Sequence, residues 1–180
     1  MGPVSRVLAL CVCGLPLFVG CAAPAGVGRT APLLTSERQR ADVALARLSA
    51  SLDGRVIRLT VSDSSTVAAY AWPDGRVLLT RGLVRLLDDD ELAAAVAHEL
   101  GHLLADGHLR TVAALGGARL AGPSAADVES RADAAGCGLL SAAGYAPAAM
   151  PRMLQKVAGA PGTSGATRAS LKNRIGRLGT

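Results

Sequence analysis

Aromatic residues are almost absent from this chain of 180 residues, which has one tryptophan, two tyrosines and one phenylalanine. Half of the residues are hydrophobic, so the core must be built from alanine, leucine and valine, and this favours closely packed helices. A nucleic-acid partner would need aromatic stacking platforms or a recognised binding fold, and the sequence offers neither. The net charge of +5 therefore does not indicate nucleic-acid binding.

Long hydrophobic runs are also lacking. Residues 7–19 are apolar but too short to cross a bilayer, and residues 109–122 are interrupted by glycines. Residues 1–21 instead resemble a secretory signal with a weakly basic start at Arg6. They end in a sequence similar to a bacterial lipoprotein processing site, in which Cys21 would carry the lipid. An ordinary signal peptide with an incidental cysteine remains the alternative.

Cysteine becomes scarcer still if this signal is removed, because only Cys21 and Cys137 then remain. With lipid on Cys21, Cys137 is the only thiol and no internal disulfide can form. Residues 22–35, rich in alanine, glycine and proline, are predicted to be a tether to a domain over residues 36–180. We expect a lipid anchor facing the periplasm, at the outer membrane because nothing after Cys21 indicates retention at the inner one.

The domain is predicted to be α+β, mostly helical, with a small sheet ahead of its longest helix. Periodicity and turn residues give the boundaries, with Pro73-Asp74-Gly75 joining two strands and Asp127 capping a later helix. The predicted elements are a helix from Ser36, strands over 55–61, 66–72 and 76–80, a short helix over 82–87, a helix from Asp88 to about Ala105, and helices over 127–142, 147–157 and from Arg168.

The most informative stretch is residues 90–102, which read D-E-L-A-A-A-V-A-H-E-L-G-H. Two histidines four residues apart on a helix differ in direction by roughly 40°, so His98 and His102 can reach one metal ion. Glu99 lies between them and can meet a water molecule, as in the zinc-protease pattern H-E-x-x-H. The surrounding residues are apolar, and polar side chains on a buried helix need partners, which a metal site supplies.

A catalytic zinc site needs a third protein ligand, and two residues are candidates. His108 has the spacing of a longer zinc-protease motif, but that motif has glycine where Ala105 stands. In an unbroken helix the six residues after His102 turn position 108 by roughly 240°. Glu129 lies on a later helix with Asp133 on the same face, so that Asp133 could hydrogen-bond a ligand histidine. The sequence favours Glu129 and keeps His108 as the alternative.

Three segments, residues 73–83, 91–102 and 129–147, resemble the zinc metalloendopeptidases of the gluzincin type that include HtpX and the CAAX prenyl proteases. The chain is most similar to their soluble bacterial lipoprotein branch. This resemblance implies a mostly helical domain with one Zn²⁺ per chain and with polypeptides as substrates. It also implies an edge strand that receives an extended peptide, which we expect at Arg76, Val77, Leu78, Leu79 and Thr80.

The resemblance also implies a role for each residue of the site. His98, His102 and Glu129 would bind the zinc, and Glu99 would be the general base. Asp133 would support a ligand, and Arg174 fits an arginine thought to help stabilise the oxyanion. Arg168 stands where many members have a histidine, and it could also donate to the oxyanion.

The predicted function is zinc-dependent hydrolysis of peptide bonds in misfolded or envelope proteins, with Glu99 as general base. The alternative is a non-catalytic, chaperone-like or scaffold lipoprotein with a structural zinc. A structural site has no use for Glu99 and is usually closed by four protein ligands, so Glu99 favours catalysis.

Overall fold

The structure is a computed structural model that describes residues 35–52, 54–114 and 124–179, without the side chains of residues 35 and 106–114. The predicted signal, Cys21 and residues 22–34 of the predicted tether lie outside the described residues. The elements are α1 (Thr35–Ser49), β1 (Arg58–Ser62), β2 (Ala69–Ala71), β3 (Arg76–Thr80), α2 (Arg81–Leu86), α3 (Asp89–Ala114), α4 (Ala125–Ala142), α5 (Ala149–Gly159) and α6 (Gly165–Leu178). This confirms the predicted fold class. None of the described helices is both long and apolar enough to span a membrane.

The three strands form one sheet in the order β1-β3-β2. β1 is parallel to β3, and β2 is antiparallel to it across the predicted turn at residues 73–75. The prediction that residues 76–80 form the edge strand is therefore wrong. These residues, Arg76, Val77, Leu78, Leu79 and Thr80, are the central strand, whose backbone is hydrogen-bonded on both sides. The edges of the sheet are β1 and β2.

The sheet has a buried face and a partly exposed face, because successive strand residues alternate in direction. Leu59, Val77 and Leu79 are buried in the core on one face. Tyr70 and Leu78, which pair across β2 and β3, belong to the other face and are partly exposed. β2 contacts α3 and β1 contacts α1, so the β2 edge is the one that lies beside the central helix.

Helix α3 runs through the middle of the core. Its start is fixed by a reciprocal pair of hydrogen bonds: Glu91 N donates to Asp88 Oδ1 at 2.9 Å, and Asp88 N donates to Glu91 Oε2 at 3.0 Å. Residues 92–98 are all buried. The helix continues to Ala114 instead of ending near Ala105, because Ala105 is a strong helix former and cannot break the helix as glycine would.

α3 packs most closely against α4, and two glycines permit the approach. A Cβ atom on Gly101 would collide with the carbonyl oxygen of Ala132. A Cβ atom on Gly136 would lie 2.7 Å from Met150 Cε and 3.1 Å from the Ala97 carbonyl oxygen. The backbones of the two helices therefore nearly touch at the level of the histidines.

The later helices close the core around this pair. α4 is capped by Ser124, whose side chain accepts from Asp127 N while the Asp127 side chain accepts from Ser124 N. Asp127 thus completes the cap instead of being the cap residue, and the S-x-x-D spacing of a capping box was the signal for it. α6 packs against α5 and buries Leu171 and Arg174.

Candidate metal centre

The two histidines of α3 face each other. Their rings are nearly perpendicular, with centroids 4.7 Å apart, and the two Nε2 atoms are separated by 3.1 Å. His98 is completely buried, and His102 is partly buried. Without a cation, two imidazole nitrogens this close require one proton between them. The spacing of four residues therefore has the structural result that the sequence predicts.

Glu129 on α4 completes the cluster. Its Oε2 is 3.4 Å from His98 Nε2, and its Oε1 is 3.7 Å from His102 Nε2. One possible ligand atom from each of the three residues lies within 4.8 Å of the other two. Neither oxygen of Glu129 accepts a hydrogen bond, although the residue is only 4% exposed. A buried carboxylate between two imidazoles, which accepts no hydrogen bond and has only an ion pair with Arg174, fits a bound divalent cation.

Asp133 lies one turn after Glu129 and contacts the far side of His98. Its Oδ1 is 2.9 Å from His98 Nδ1. A proton held on Nδ1 by this carboxylate leaves the lone pair of Nε2 directed toward Glu129 and His102. The structure therefore places Asp133 where the sequence predicts support for a ligand.

Arg174 on α6 joins the two acids of α4. Its Nε and Nη2 donate to Asp133 at 2.8 and 2.5 Å, and its Nη1 is 2.8 Å from Glu129 Oε2. The residue is 5% exposed, so the guanidinium offsets two buried negative charges in a region with little water. Its nitrogens are directed at these carboxylates, which is a supporting position and not that of a donor waiting for an oxyanion.

Arg168 lies elsewhere on α6. Its Nε donates to the carbonyl oxygen of Ala158 at 2.9 Å, and its Nη2 donates to that of Thr163 at 3.4 Å. These bonds fasten α6 to the end of α5. Since positions 168 and 174 are six residues apart on one helix, their side chains point in directions roughly 120° apart. Arg168 is thus not brought to the cluster.

The charges of the cluster shift the pKa values of its histidines in opposite directions. Burial and Arg174 lower the pKa of His98, but the contacts with Asp133 and Glu129 outweigh them and raise it to about 9. Burial lowers the pKa of His102 to about 4, with a further decrease from the charge of His98. In the metal-free cluster at neutral pH, His98 is therefore the charged imidazolium and His102 is the neutral imidazole.

Glu99 is buried beside the cluster but does not belong to it. It follows His98 on α3 and so points about 100° away from it. Burial raises the pKa of Glu99 to about 7, an effect that the charge of His98 opposes and that of Glu129 reinforces. A carboxyl group with a pKa near neutrality can both accept and return a proton at physiological pH, as a general base requires.

His108, the alternative third ligand, is not brought to the cluster by the backbone. Because α3 does not break at Ala105, position 108 is turned by roughly 240° from position 102. The side chain of His108 lies outside the described residues. Among the described residues, the only set of three or more possible ligands within reach of one another is His98, His102 and Glu129.

Comparison with known proteins agrees with this geometry. No curated protein matches the chain. The model of peptidase family M48 matches residues 35–126, a range from the start of α1 to the first turn of α4 that includes both histidines and Glu99. The matched range ends before Glu129, so the third candidate ligand rests on the sequence pattern and the structure and not on this match. Because the match covers just over half of the chain, the chain belongs to peptidase family M48 and is a metallopeptidase.

Proposed function

We propose that this metallopeptidase is a zinc-dependent endopeptidase of the bacterial cell envelope. The observation that carries the proposal is the buried carboxylate of Glu129, which accepts no hydrogen bond and faces two imidazole nitrogens. Two histidines and one glutamate are a known ligand set of catalytic zinc, with a fourth position left for water. His98, His102 and Glu129 would hold the ion. When bound, zinc would polarise the scissile carbonyl and acidify the attacking water.

Glu99 is the proposed general base. Its carboxylate would take a proton from the attacking water and return it to the amine that leaves, so that a single group serves both steps. The pKa of about 7 suits both directions of transfer. Asp133 and Arg174 would keep His98 and Glu129 in position while Glu99 moves the proton.

The substrate strand is proposed to add to the outer edge of β2. Thr80 N donates to the Ala68 carbonyl oxygen and Trp72 N donates to that of Arg76, so residues 68, 70 and 72 direct their backbone groups toward β3. By alternation, the backbone groups of Ala69 and Ala71 point away from β3, where an extended peptide can pair with them. This edge lies beside α3, which carries the histidines.

The place of action is proposed from the N-terminal sequence. Residues 1–21 resemble a lipoprotein signal, and lipid on Cys21 would anchor the domain in the periplasm through the segment over residues 22–35. Envelope or misfolded polypeptides are the proposed substrates, and an extended conformation is what a sheet edge selects.

The test is digestion of unfolded casein by the purified protein lacking residues 1–21. We expect about one zinc per chain, loss of activity with a chelator, and recovery when zinc is added back. Glu99→Gln should retain zinc and lose roughly 10²–10⁴-fold in rate. Full activity in Glu99→Gln would refute the assignment of the base. Zinc binding without any digestion by the wild type would instead favour the non-catalytic alternative.

A further inference from the structure

We infer that Tyr70 and Trp72 select the side chains of the substrate, so that the enzyme prefers extended segments with large apolar residues at alternate positions. This inference rests on the proposed function and concerns the face of the sheet that is turned away from the core. It names a substrate class: strand-forming polypeptide segments that are apolar on one side.

Both aromatic residues lie on the partly exposed face of the sheet, Tyr70 in β2 and Trp72 directly after it, where Trp72 N still donates to the Arg76 carbonyl oxygen. Val77 and Leu79, paired with Ala71 and Ala69, are buried in the core, so Tyr70 and Trp72 extend to the other face. Each is only partly buried. Their ring centroids are 6.1 Å apart, which places the two rings side by side along the edge.

The apolar residues of this face lie on β2 and β3, toward the edge beside α3. On β1, at the opposite edge, the residues of the same face are Arg58 and Thr60, both exposed. The chain has only one tryptophan and two tyrosines, and its other tyrosine, Tyr145, is buried. A protein with so few aromatic residues thus places one of them on the edge strand that contacts α3 and another directly after it.

Arg76 holds the indole in position. Its guanidinium lies over the Trp72 ring, 5.1 Å from the centroid, and its Nε donates to Asp74 Oδ2 at 2.7 Å. The arginine therefore covers the side of Trp72 toward β3. The edge of the Trp72 ring that points away from β3 is then left to face a substrate strand added beside β2.

An extended peptide paired with Ala69 and Ala71 would lie about 4.8 Å from β2, with alternate side chains on the face of Tyr70 and Trp72. Aromatic residues favour aliphatic and aromatic neighbours across a strand pair, by up to about fivefold for each pair. Because the two rings are separated by one residue, the enzyme would recognise a substrate whose apolar side chains occur at every second position. A peptide of alternating leucine pairs and serine pairs would lose this advantage, because residues i and i+2, which lie on one face, are then never both leucine.

The experiment compares two peptides of identical composition with the zinc-loaded full-length protein. One alternates leucine and serine, and the other has the same residues as leucine pairs and serine pairs. We expect kcat/KM to be up to about fivefold higher for the alternating peptide, because it places leucine opposite both rings whereas its isomer places leucine opposite only one. Equal rates for the two peptides would overturn this inference and leave the proposed function intact. If the wild type cleaves neither peptide nor casein, the proposed function fails and this inference fails with it.

Variants then assign the preference to the two rings. Trp72→Ala and Tyr70→Ala should each reduce the preference several-fold, whereas Trp72→Phe should retain most of it. Thr60→Ala, on the same face at the far edge, is the matched control and should leave the preference unchanged. An unchanged preference in both alanine variants would overturn the inference. Zinc content and thermal midpoint are measured for each variant, and the wild-type comparison decides the outcome even if a variant does not fold.

Binding can be observed directly because Trp72 is the only tryptophan in the chain. With zinc-loaded Glu99→Gln, which should bind without cleaving, the alternating peptide should shift the emission of Trp72 at a lower concentration than its isomer. Emission that stays constant while a labelled alternating peptide binds would place the peptide elsewhere and contradict the inference.

Discussion

Two buried glutamates of neighbouring helices, Glu91 and Glu129, differ in how their oxygens are used. Glu91, 2% exposed, accepts from Asp88 N at 3.0 Å and from Lys156 Nζ at 2.5 Å. Glu129, 4% exposed, accepts no hydrogen bond and meets Arg174 only as an ion pair. The first carboxylate closes the start of α3 and joins it to α5. The carboxylate of Glu129 can still bind a further ligand, such as a cation.

This difference separates a carboxylate that stabilises the fold from one reserved for a ligand. An oxygen that already accepts two hydrogen bonds, as Oε2 of Glu91 does, has no lone pair left for a cation. A buried acid that accepts no hydrogen bond costs free energy, and a fold that retains one must gain from it elsewhere. Substitutions at the two glutamates should therefore have opposite consequences for metal binding and for stability.

The largest effect is expected at Glu129. Glu129→Gln should weaken zinc binding by more than about 100-fold, above the 10–100-fold typical of residues that only support a ligand. The measurement is competition for zinc with a chromophoric chelator. Glu91→Gln is the matched control, and its zinc affinity should stay within about twofold of the wild type. Equal losses in the two variants would contradict the distinction between the two acids.

The next effect tests whether Arg174 supports the ligands. Arg174→Ala would leave two buried carboxylates without their cation, so we expect zinc affinity to fall by about 10–100-fold. Arg174→Lys should recover part of the loss, because it restores the charge but not the bidentate contact with Asp133. Arg177→Ala, which removes the exposed contact with Ser130, serves as the control. If Arg174→Ala has normal zinc affinity but a reduced catalytic rate, Arg174 would stabilise the oxyanion instead of supporting the ligands.

A smaller effect concerns pH. The pKa of His98 is about 9 in the metal-free protein, so at pH 7 this residue carries a proton that a metal ligand cannot have. The proton is fully present well below pH 9 and is lost as the pH rises through that value. Zinc affinity should therefore rise about tenfold per pH unit between pH 6.5 and 8.5. Calorimetry in buffers of different ionisation enthalpy should show about one proton released on binding, and an affinity independent of pH would contradict the assignment.

The smallest effect is expected in the stability of the control. Glu91→Gln should lower the free energy of unfolding by about 1–2 kcal/mol, because the charged contact with partly exposed Lys156 is lost while the bond from Asp88 N can remain. Chemical denaturation of the metal-free protein measures this loss. A larger loss in metal-free Glu129→Gln than in Glu91→Gln would contradict the distinction, because Glu129 would then stabilise the fold more than Glu91 does.

The sequence predicted those parts of the site that depend on local spacing. His98 and His102 share a face because a helix repeats every 3.6 residues, and Asp133 follows Glu129 for the same reason. The bounds of β3 were predicted because its residues and the turn before it are distinctive. Arg174 was identified, but its role was not, since no local pattern tells whether a guanidinium meets a carboxylate or a substrate.

The sheet order could not be predicted in the same way. The turn at residues 73–75 predicts that β2 and β3 pair, but it does not tell which of them β1 joins. That choice depends on how α1, which packs on β1, is placed against α3, and this is a property of the whole core. The substrate edge was assigned to the wrong strand for this reason. The aromatic pair at the true edge then received no role.

The close approach of α3 and α4 at Gly101 and Gly136 affects whether homologous proteins keep the activity. The distance between imidazole and carboxylate is set by how far apart two backbones stand, and a single methyl group at position 101 would enlarge that separation. Every polar atom of the centre could then be intact while the ligands no longer converge. A homologue with a larger residue at position 101 can thus be inactive although its metal ligands and its general base are all retained.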